Sequence, residues 1–284
     1  MSQDRCIIIN ALPRTGSNIL WNIVSSHPSV SMPGKETGEI IRGLDVAGRN
    51  LVRNRFRDYP IMENLIGYIL KMQFHKLKVG NINDNERYQK SSDERYSKQE
   101  LEDTITCLKS IGKDYFLNDF IAKQYQTTHF IGLIRNGYSF CNGMERRGHK
   151  PREAAELYKQ YVDFLLEQEN SCPNFMLIRF ENLILDPFFI ASQIYEFLQL
   201  KPIKLQKLRL KSKRVMSIEG DHKAPSNLIE GQNYWFNQEE IKAFLDKRVN
   251  KIQTKALTEK SAEIFSGVCS ENMQKIGYQI SEEM

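Results

Sequence analysis

The stretch CIIINALPRTGSNILWNIVSSHP, residues 6–28, carries the pattern that decides the fold. Its first residues, up to Leu12, form a short, largely β-branched run without alternation, which predicts a strand buried on both faces of a parallel sheet. A helix is predicted to begin near Ser17 and to end before His27. Residues 13–18 therefore connect a strand to a helix, where parallel sheets bind their ligands.

Further along the chain, strands alternate with helices. The segment HFIGLI, 129–134, predicts a second strand that leads into a helix over 138–147. The segment FMLIRF, 175–180, predicts a third strand, followed by a helix over 188–198, and a long amphipathic helix is expected around 154–165. This alternation indicates an α/β fold in which a central parallel sheet is flanked by helices.

Two neighbouring segments after the first helix have the character of an insertion. Residues 37–80 are predicted to be mostly helical, and residues 83–103 are almost wholly polar, which predicts a mobile connection or lid. We therefore expect a single domain over 1–284 in which 37–103 forms a helical lid. Together with residues 215–236, this lid is expected to wall an acceptor site.

The composition restricts the class of ligand. Lys and Arg number 40 and Asp and Glu 35, so the net charge of +5 suits an anionic ligand but is too small and too evenly spread to indicate nucleic acid. No apolar run approaches the roughly 20 residues of a membrane span, and no leader peptide is apparent. The five scattered cysteines favour free thiols over disulfides or a zinc site. We expect a cytoplasmic protein with no nucleic-acid or membrane partner.

The loop Pro13-Arg14-Thr15-Gly16-Ser17-Asn18 has the residues of an anion site. Gly16 lets backbone N–H groups turn toward a ligand, Ser17 and Asn18 can donate hydrogen bonds, and Arg14 supplies a full charge at the start of a helix. The alternative is a tight turn in which Ser17 only caps the helix. The Walker lysine of ATP-binding loops is absent.

A second loop, LIRNGYSFCNGMERRG at 133–148, carries two further arginines. Arg135 stands at the end of a predicted strand, and Arg147 lies about three turns along the next helix if that helix is continuous. Two arginines at one edge of a parallel sheet suggest a second anionic group on the ligand. The alternative is a pair of solvated surface arginines.

Several segments, in chain order, resemble the sulfotransferases that use 3′-phosphoadenosine-5′-phosphosulfate (PAPS), and in pattern the bacterial and tyrosylprotein-sulfotransferase-like branches. PRTGSNILWNIVSSHPSV is similar to their 5′-phosphosulfate loop, and THFIGLIRNGYSFCNGMERR to their 3′-phosphate motif. IGKDYFLNDFIAKQY resembles a K-[DT]-P segment, and LIRFENLILDPFFIASQIYEFLQL a Y-E-D-L-x-x-D-P stretch. GKETGE and KIGY extend the match to most of the chain. The resemblance implies a P-loop-like sulfotransferase fold.

The resemblance also implies roles at the nucleotide. The residues that would cradle the 5′-phosphosulfate are Arg14, Thr15, Gly16, Ser17 and Asn18. Arg135 would bind the 3′-phosphate, with Arg147 as a further arginine. The family's serine is replaced by Gly143, so Ser139 or a backbone N–H would supply that contact. Phe180 replaces the family's tyrosine and either stacks on adenine or, as we favour, packs in the core.

Sulfuryl transfer needs a group that removes the acceptor's proton. The resemblance assigns this role to Glu36, with Glu39 as the alternative, whereas His27 is expected to cap or pack at the far end of its helix. Lys113 would place its ammonium group at the bridging oxygen, beside Arg14. Glu36 could instead be a solvated loop carboxylate, and Lys113 could pair with Asp114.

These observations predict a sulfotransferase that moves a sulfuryl group from PAPS to a hydroxyl or amine of a small molecule, such as a natural product of secondary metabolism. The product would be 3′-phosphoadenosine-5′-phosphate (PAP), and no metal is expected to be required. Two alternatives remain open at the level of sequence: an ATP- and Mg²⁺-dependent phosphotransferase, and a catalytically silent nucleotide-binding relative.

Overall fold

The computed structural model describes residues 4–43, 60–80, 89–212, 228–229 and 231–278. A five-stranded sheet, in which every neighbouring pair is parallel, lies at its centre with the strand order β2-β3-β1-β4-β5. The strands are β1 (Arg5–Ala11), β2 (Val30–Ser31), β3 (Ile105–Ile111), β4 (Thr127–Ile134) and β5 (Phe175–Arg179). A smaller antiparallel pair consists of β6 (Leu208–Lys211) and β7 (Asn233–Phe236). The predicted α/β fold with a central parallel sheet is confirmed.

Helices connect these strands. Those of the first half of the chain are α1 (Ser17–Val24), α2 (Thr37–Arg42), α3 (Pro60–Val79), α4 (Lys98–Asp103) and α5 (Asn118–Ala122), with a 3₁₀ helix at Gly112–Leu117. Those of the second half are α6 (Gly137–Glu145), α7 (Pro151–Ser171), α8 (Phe180–Leu185), α9 (Pro187–Phe197), α10 (Gln238–Phe244), α11 (Val249–Lys255) and α12 (Glu259–Lys275). Within the described part of the chain, none of these helices has the length and apolar character needed to cross a membrane.

The central strand β1 divides the core between the two faces of the sheet. Ile7 and Ile9 join a cluster with residues of α1 and α9, whereas Cys6 and Ile8 pack with residues of α3 on the other face. This alternation follows from the period of two along a strand. Because Cys6 through Ala11 are all buried, the prediction of a strand covered on both faces is confirmed.

Strand β3, with sequence ITCLKSI, was not predicted. It lies between β1 and β2, and its residues Thr106, Lys109 and Ser110 are buried together with its apolar ones. Polar side chains within a buried strand break the apolar run that identifies such strands in sequence. Their burial depends on partners that come from other parts of the chain.

The polar stretch before β3 is more ordered than predicted where the structure describes it. Ser97 accepts a hydrogen bond from the Glu100 N–H, and the Glu100 carboxylate accepts one from the Ser97 N–H. This reciprocal capping starts α4, so residues 98–103 of the stretch predicted as a mobile connection or lid form a short helix. Residues 44–59 and 81–88 of the proposed lid lie outside the described residues.

Helix α6 ends at Glu145 and is therefore two residues shorter at its C-terminal end than predicted. The Arg147 N–H donates to the carbonyl of Met144, and Gly148 has a φ of 85°, a left-handed conformation that ends helices. Arg147 therefore lies in the turn after α6 and not on a continuous third turn of that helix.

Candidate active site

The loop between β1 and α1 is held by its own side chains and by α8. Arg14 and Gly16 have φ values of 69° and 91°. The Thr15 hydroxyl donates to the Leu12 carbonyl at 2.7 Å, so buried Thr15 fixes the turn. A Cβ on Gly16 would lie 2.3 Å from Cε2 of Phe180, so this position requires glycine for its conformation and for space. The loop delivers the N-terminus of α1, where anions bind.

Arg135, at the end of β4, is fixed by neighbours on both sides. Its Nη1 donates to the Arg14 carbonyl at 2.9 Å, and its Nε donates to Oδ1 of Asn250 on α11 at 2.6 Å. The guanidinium lies 4.5 Å from the centre of the Phe180 ring, and only 5% of the residue is exposed. Among the described residues, Nη2 has no hydrogen-bond partner. A donor left in this state has capacity for an anion.

Several arginines share this region with few opposing charges. Burial lowers the pKa of Arg14, and Arg147 and Arg146 lower it further. Burial also lowers the pKa of Arg135 to about 10, although the Glu181 carboxylate opposes the change. Glu181 itself accepts hydrogen bonds from the Asn136 N–H, the Asn250 amide and the Tyr278 hydroxyl. The site therefore carries a surplus of positive charge that an anionic ligand would stabilise.

Ser139 and Gly143, the two positions considered for the remaining 3′-phosphate contact, make contacts within the protein instead. The Ser139 hydroxyl is fully buried and donates to the Asn250 carbonyl at 3.0 Å. A Cβ on Gly143 would lie 3.3 Å from Cβ of Arg14, so this glycine makes room for the stem of that arginine. Neither residue is among those that line the cavity at the carboxyl ends of the strands, which is described below.

Beside Asn18, at the end of the loop that leads into α1, Glu36 forms an ion pair with Lys109 of β3. The Glu36 Oε1 lies 2.9 Å from the Lys109 Nζ, which also donates to Oδ1 of Asn18 at 2.6 Å. Lys109 is 2% exposed, and its ammonium lies 4.6 Å from the centre of the Trp21 ring. Burial lowers the pKa of this lysine, and Glu36 opposes that change. Sequence reasoning missed Lys109, whose only signal was a lone lysine within an apolar run.

The remaining candidates from the sequence are Lys113, Glu39 and His27. Lys113 is exposed and does not line the cavity, whereas the neighbouring Asp114 does. The Glu39 carboxylate accepts a hydrogen bond from the Glu36 N–H at 2.9 Å and so fixes the start of α2. His27 is buried and bonded to the Lys201 carbonyl and the Ser29 N–H, as expected for a residue that packs at the end of α1.

A cavity of about 550 Å³ at the carboxyl ends of the strands brings these groups together. The sequence-predicted residues that line it are Arg14, Gly16, Ser17, Asn18, Glu36, Arg135, Arg147 and Phe180. The lining residues that sequence reasoning missed include Arg42, Asp114, Lys211, Phe244, Asp246 and Gln253. Phe180 is 4% exposed and belongs to the core cluster. Of the residues within 215–236 that the structure describes, none lines the cavity.

The fold and the site define an α/β protein whose cavity brings together arginines and loop donors suited to an anionic ligand, with a carboxylate–ammonium pair beside them. Residues 6–203 match the model of the family described as "Sulfotransferase family", and residues 149–277 match "Sulfotransferase domain". The chain belongs to the sulfotransferase family. It is a sulfotransferase, an enzyme of the class that uses PAPS as its sulfuryl donor.

The solved structures to which this chain is similar are distant from it in sequence. The sulfotransferase domain from the curacin biosynthetic pathway shares 14% identity at a TM-score of 0.52, with 98% of this chain and 99% of that chain covered. The sulfotransferase domain of the Synechococcus PCC 7002 olefin synthase shares 17% at 0.45, covering 72% and 76%. Mouse sulfotransferase SULT7A1, complexed with PAP, shares 12% at 0.45, covering 96% and 84%. A search of curated proteins gives no match.

The contact between Gly16 and Phe180 generates a prediction about stability. Gly16→Ala should lower the free energy of unfolding by more than Gly148→Ala. Both glycines have a positive φ, which costs about 1–2 kcal/mol for alanine, but a Cβ on Gly148 meets nothing within 4 Å. Urea unfolding of the two variants measures the difference. Equal losses would show that the Phe180 ring moves aside at no cost.

Proposed function

We propose that the cavity holds PAPS with its 5′-phosphosulfate on the loop before α1 and its 3′-phosphate at Arg135 and Arg147. The sulfuryl group then passes to a hydroxyl or amine of a small molecule. The observation that carries this proposal is the buried Arg135, whose guanidinium bonds to the Arg14 carbonyl and keeps one donor that no described residue accepts from. In this proposal one arginine contributes to both anion sites of the nucleotide, and the Glu36–Lys109 pair lies beside Asn18 of the loop.

In the transfer step, the acceptor oxygen or nitrogen forms a bond to sulfur while the bond between sulfur and the 5′-phosphate oxygen breaks. Glu36 takes the acceptor's proton, and PAP leaves with the electron pair of the broken bond. We assign the ammonium that stabilises this leaving oxygen to Lys109, because its Nζ contacts Asn18 of the anion loop. Exposed Lys113, the candidate from the sequence, lies outside the cavity lining.

The acceptor in this proposal is a small molecule such as a natural product. The cavity combines apolar side chains of Ile184, Phe244 and Leu245 with the charged groups of Arg42 and Asp246, which suits a compact acceptor with polar substituents. The structurally similar curacin domain belongs to a biosynthetic pathway, which favours the same class of acceptor. A cytoplasmic location remains part of the proposal, supported by five free cysteines.

The experiment that tests the function is incubation of the protein with PAPS and a panel of hydroxyl and amine acceptors. Mass spectrometry should detect the gain of one SO₃ on at least one acceptor together with release of PAP. A protein that binds PAP yet modifies no acceptor would be a silent relative. Dependence on ATP in place of PAPS would favour a phosphotransferase.

Arg135→Ala should weaken PAP binding by about 1.5–3 kcal/mol, the value of hydrogen bonds to a charged group. Isothermal titration calorimetry measures the change. The control is Arg152→Ala, which removes the same charge from the exposed surface of α7, where Arg152 pairs with Glu156. If the two variants bind PAP equally well, the 3′-phosphate does not lie at Arg135.

Glu36→Gln should lower kcat by about 10²- to 10⁴-fold, the usual contribution of a positioned base, while PAP affinity stays nearly constant. Glu39→Gln is the matched control, because a glutamine there can still accept the hydrogen bond of the Glu36 N–H. Turnover that survives in Glu36→Gln and disappears in Glu39→Gln would move the role to Glu39.

Turnover should be unchanged after EDTA treatment. Arginines surround the proposed phosphate positions and repel a cation, and no group of three His, Cys, Asp or Glu side chains with metal-binding geometry occurs in the described part of the chain. Rates measured in EDTA and in added Mg²⁺ should agree within about twofold. A strict requirement for Mg²⁺ would contradict this part of the proposal.

A further inference from the structure

The half-buried carboxylate of Asp114, in the 3₁₀ helix after β3, holds the beginning of α2. The backbone N–H groups of Gly38 and Ile111 favour its charged form and so oppose the rise in its pKa that burial causes. A Cβ on Gly38 would lie 2.2 Å from Oδ2 of Asp114, so the close approach requires glycine at this position. Asp114 therefore anchors the helix immediately after Glu36.

Three consecutive residues dock on the end of β3 and the turn that follows it. The Glu36 carboxylate pairs with the Lys109 ammonium, and the Thr37 hydroxyl donates to the Lys109 carbonyl at 3.2 Å. The Ser110 hydroxyl donates to the Thr37 hydroxyl at 3.3 Å. Gly38 packs against the Asp114 carboxylate, since a Cβ on Gly38 would lie 2.2 Å from Oδ2. Because the segment is fixed at each of these residues, the Glu36 carboxylate has a defined position at the cavity wall.

A second carboxylate near Glu36 has an electrostatic cost. Burial raises the pKa of Asp114, and the negative charge of Glu36 raises it further. The two N–H donors and the guanidinium of Arg42, in the last turn of α2, oppose this effect. Asp114 thus interacts with both ends of α2, and these interactions offset the repulsion between the two carboxylates.

We propose that Asp114 is a positioning residue for sulfuryl transfer, which sets the Glu36 carboxylate against Lys109 and the acceptor. The inference rests on the proposed function, in which Glu36 removes the acceptor's proton. Asp114 acts through the backbone of α2, although its side chain also lines the cavity. The rival roles are direct binding of the acceptor and a structural contact without effect on transfer.

A double-mutant cycle separates these roles. Asp114→Ala should lower kcat by about 10- to 100-fold, the scale of a misplaced catalytic group. The acceptor KM and the PAP affinity should change by less than about twofold. Asp114→Asn should recover most of the rate, because an amide of the same size can still pack against Gly38. In a Glu36→Gln background, Asp114→Ala should cause no further loss.

Gly38→Ala provides a second variant, because it displaces the Asp114 carboxylate without changing any charge. It should reproduce the kcat loss of Asp114→Ala and likewise add nothing in the Glu36→Gln background. If Asp114→Ala does not fold, Gly38→Ala and Asp114→Asn decide the matter by the same comparison.

Several results would overturn the inference. Equal losses with and without Glu36 would show that Asp114 acts independently, and a raised acceptor KM at constant kcat would assign it to acceptor binding. Unchanged kcat in both Asp114→Ala and Gly38→Ala would leave a structural contact only. Wild-type turnover in Glu36→Gln would instead refute the base assignment in the proposed function, and the positioning role with it.

Discussion

The guanidinium of Arg135 is the interaction on which the site depends. It joins the end of β4 to the Arg14 carbonyl in the loop after β1 and to Asn250 on α11. A buried charge is costly unless it is paired and hydrogen-bonded. Here Glu181 and two donated hydrogen bonds compensate it in part, and one donor remains without a partner among the described residues. The fold thus maintains a charged donor where a phosphate group of the donor nucleotide would complete its environment.

Two residues that depart from the family pattern lie beside arginines of the site. The ring of Phe180 lies against Gly16 and under the Arg135 guanidinium, so it supports both anion loops from the core. Gly143 stands where the family has a serine, and its missing side chain makes room for the stem of Arg14. Phe180 thus contacts Arg135, and Gly143 leaves space beside Arg14. They are consistent with a working anion site and do not require a silent one.

The proposed site of transfer, at Glu36 and Lys109, depends on the adjacency of β1 and β3. Because these strands are parallel neighbours, the end of β3 brings Lys109 beside Asn18 of the loop that follows β1. Glu36 then compensates the buried ammonium from the start of α2. The same carboxylate lines the cavity, so the group that stabilises Lys109 is also placed to meet an acceptor.

The sequence by itself determined β1, the anion loop and α1, because the signals of a buried strand, a glycine turn and a helix start lie within residues 6–28. It also determined the family and the candidates Arg14, Glu36 and Arg135, since these follow from local motifs. The position of β3 and the burial of Lys109 were determined only by the tertiary structure. A buried lysine is favourable only where groups such as Asn18 and Glu36 accept its hydrogen bonds. The end of α6 and the docking of α11 on Arg135 were likewise decided by contacts between distant parts of the chain.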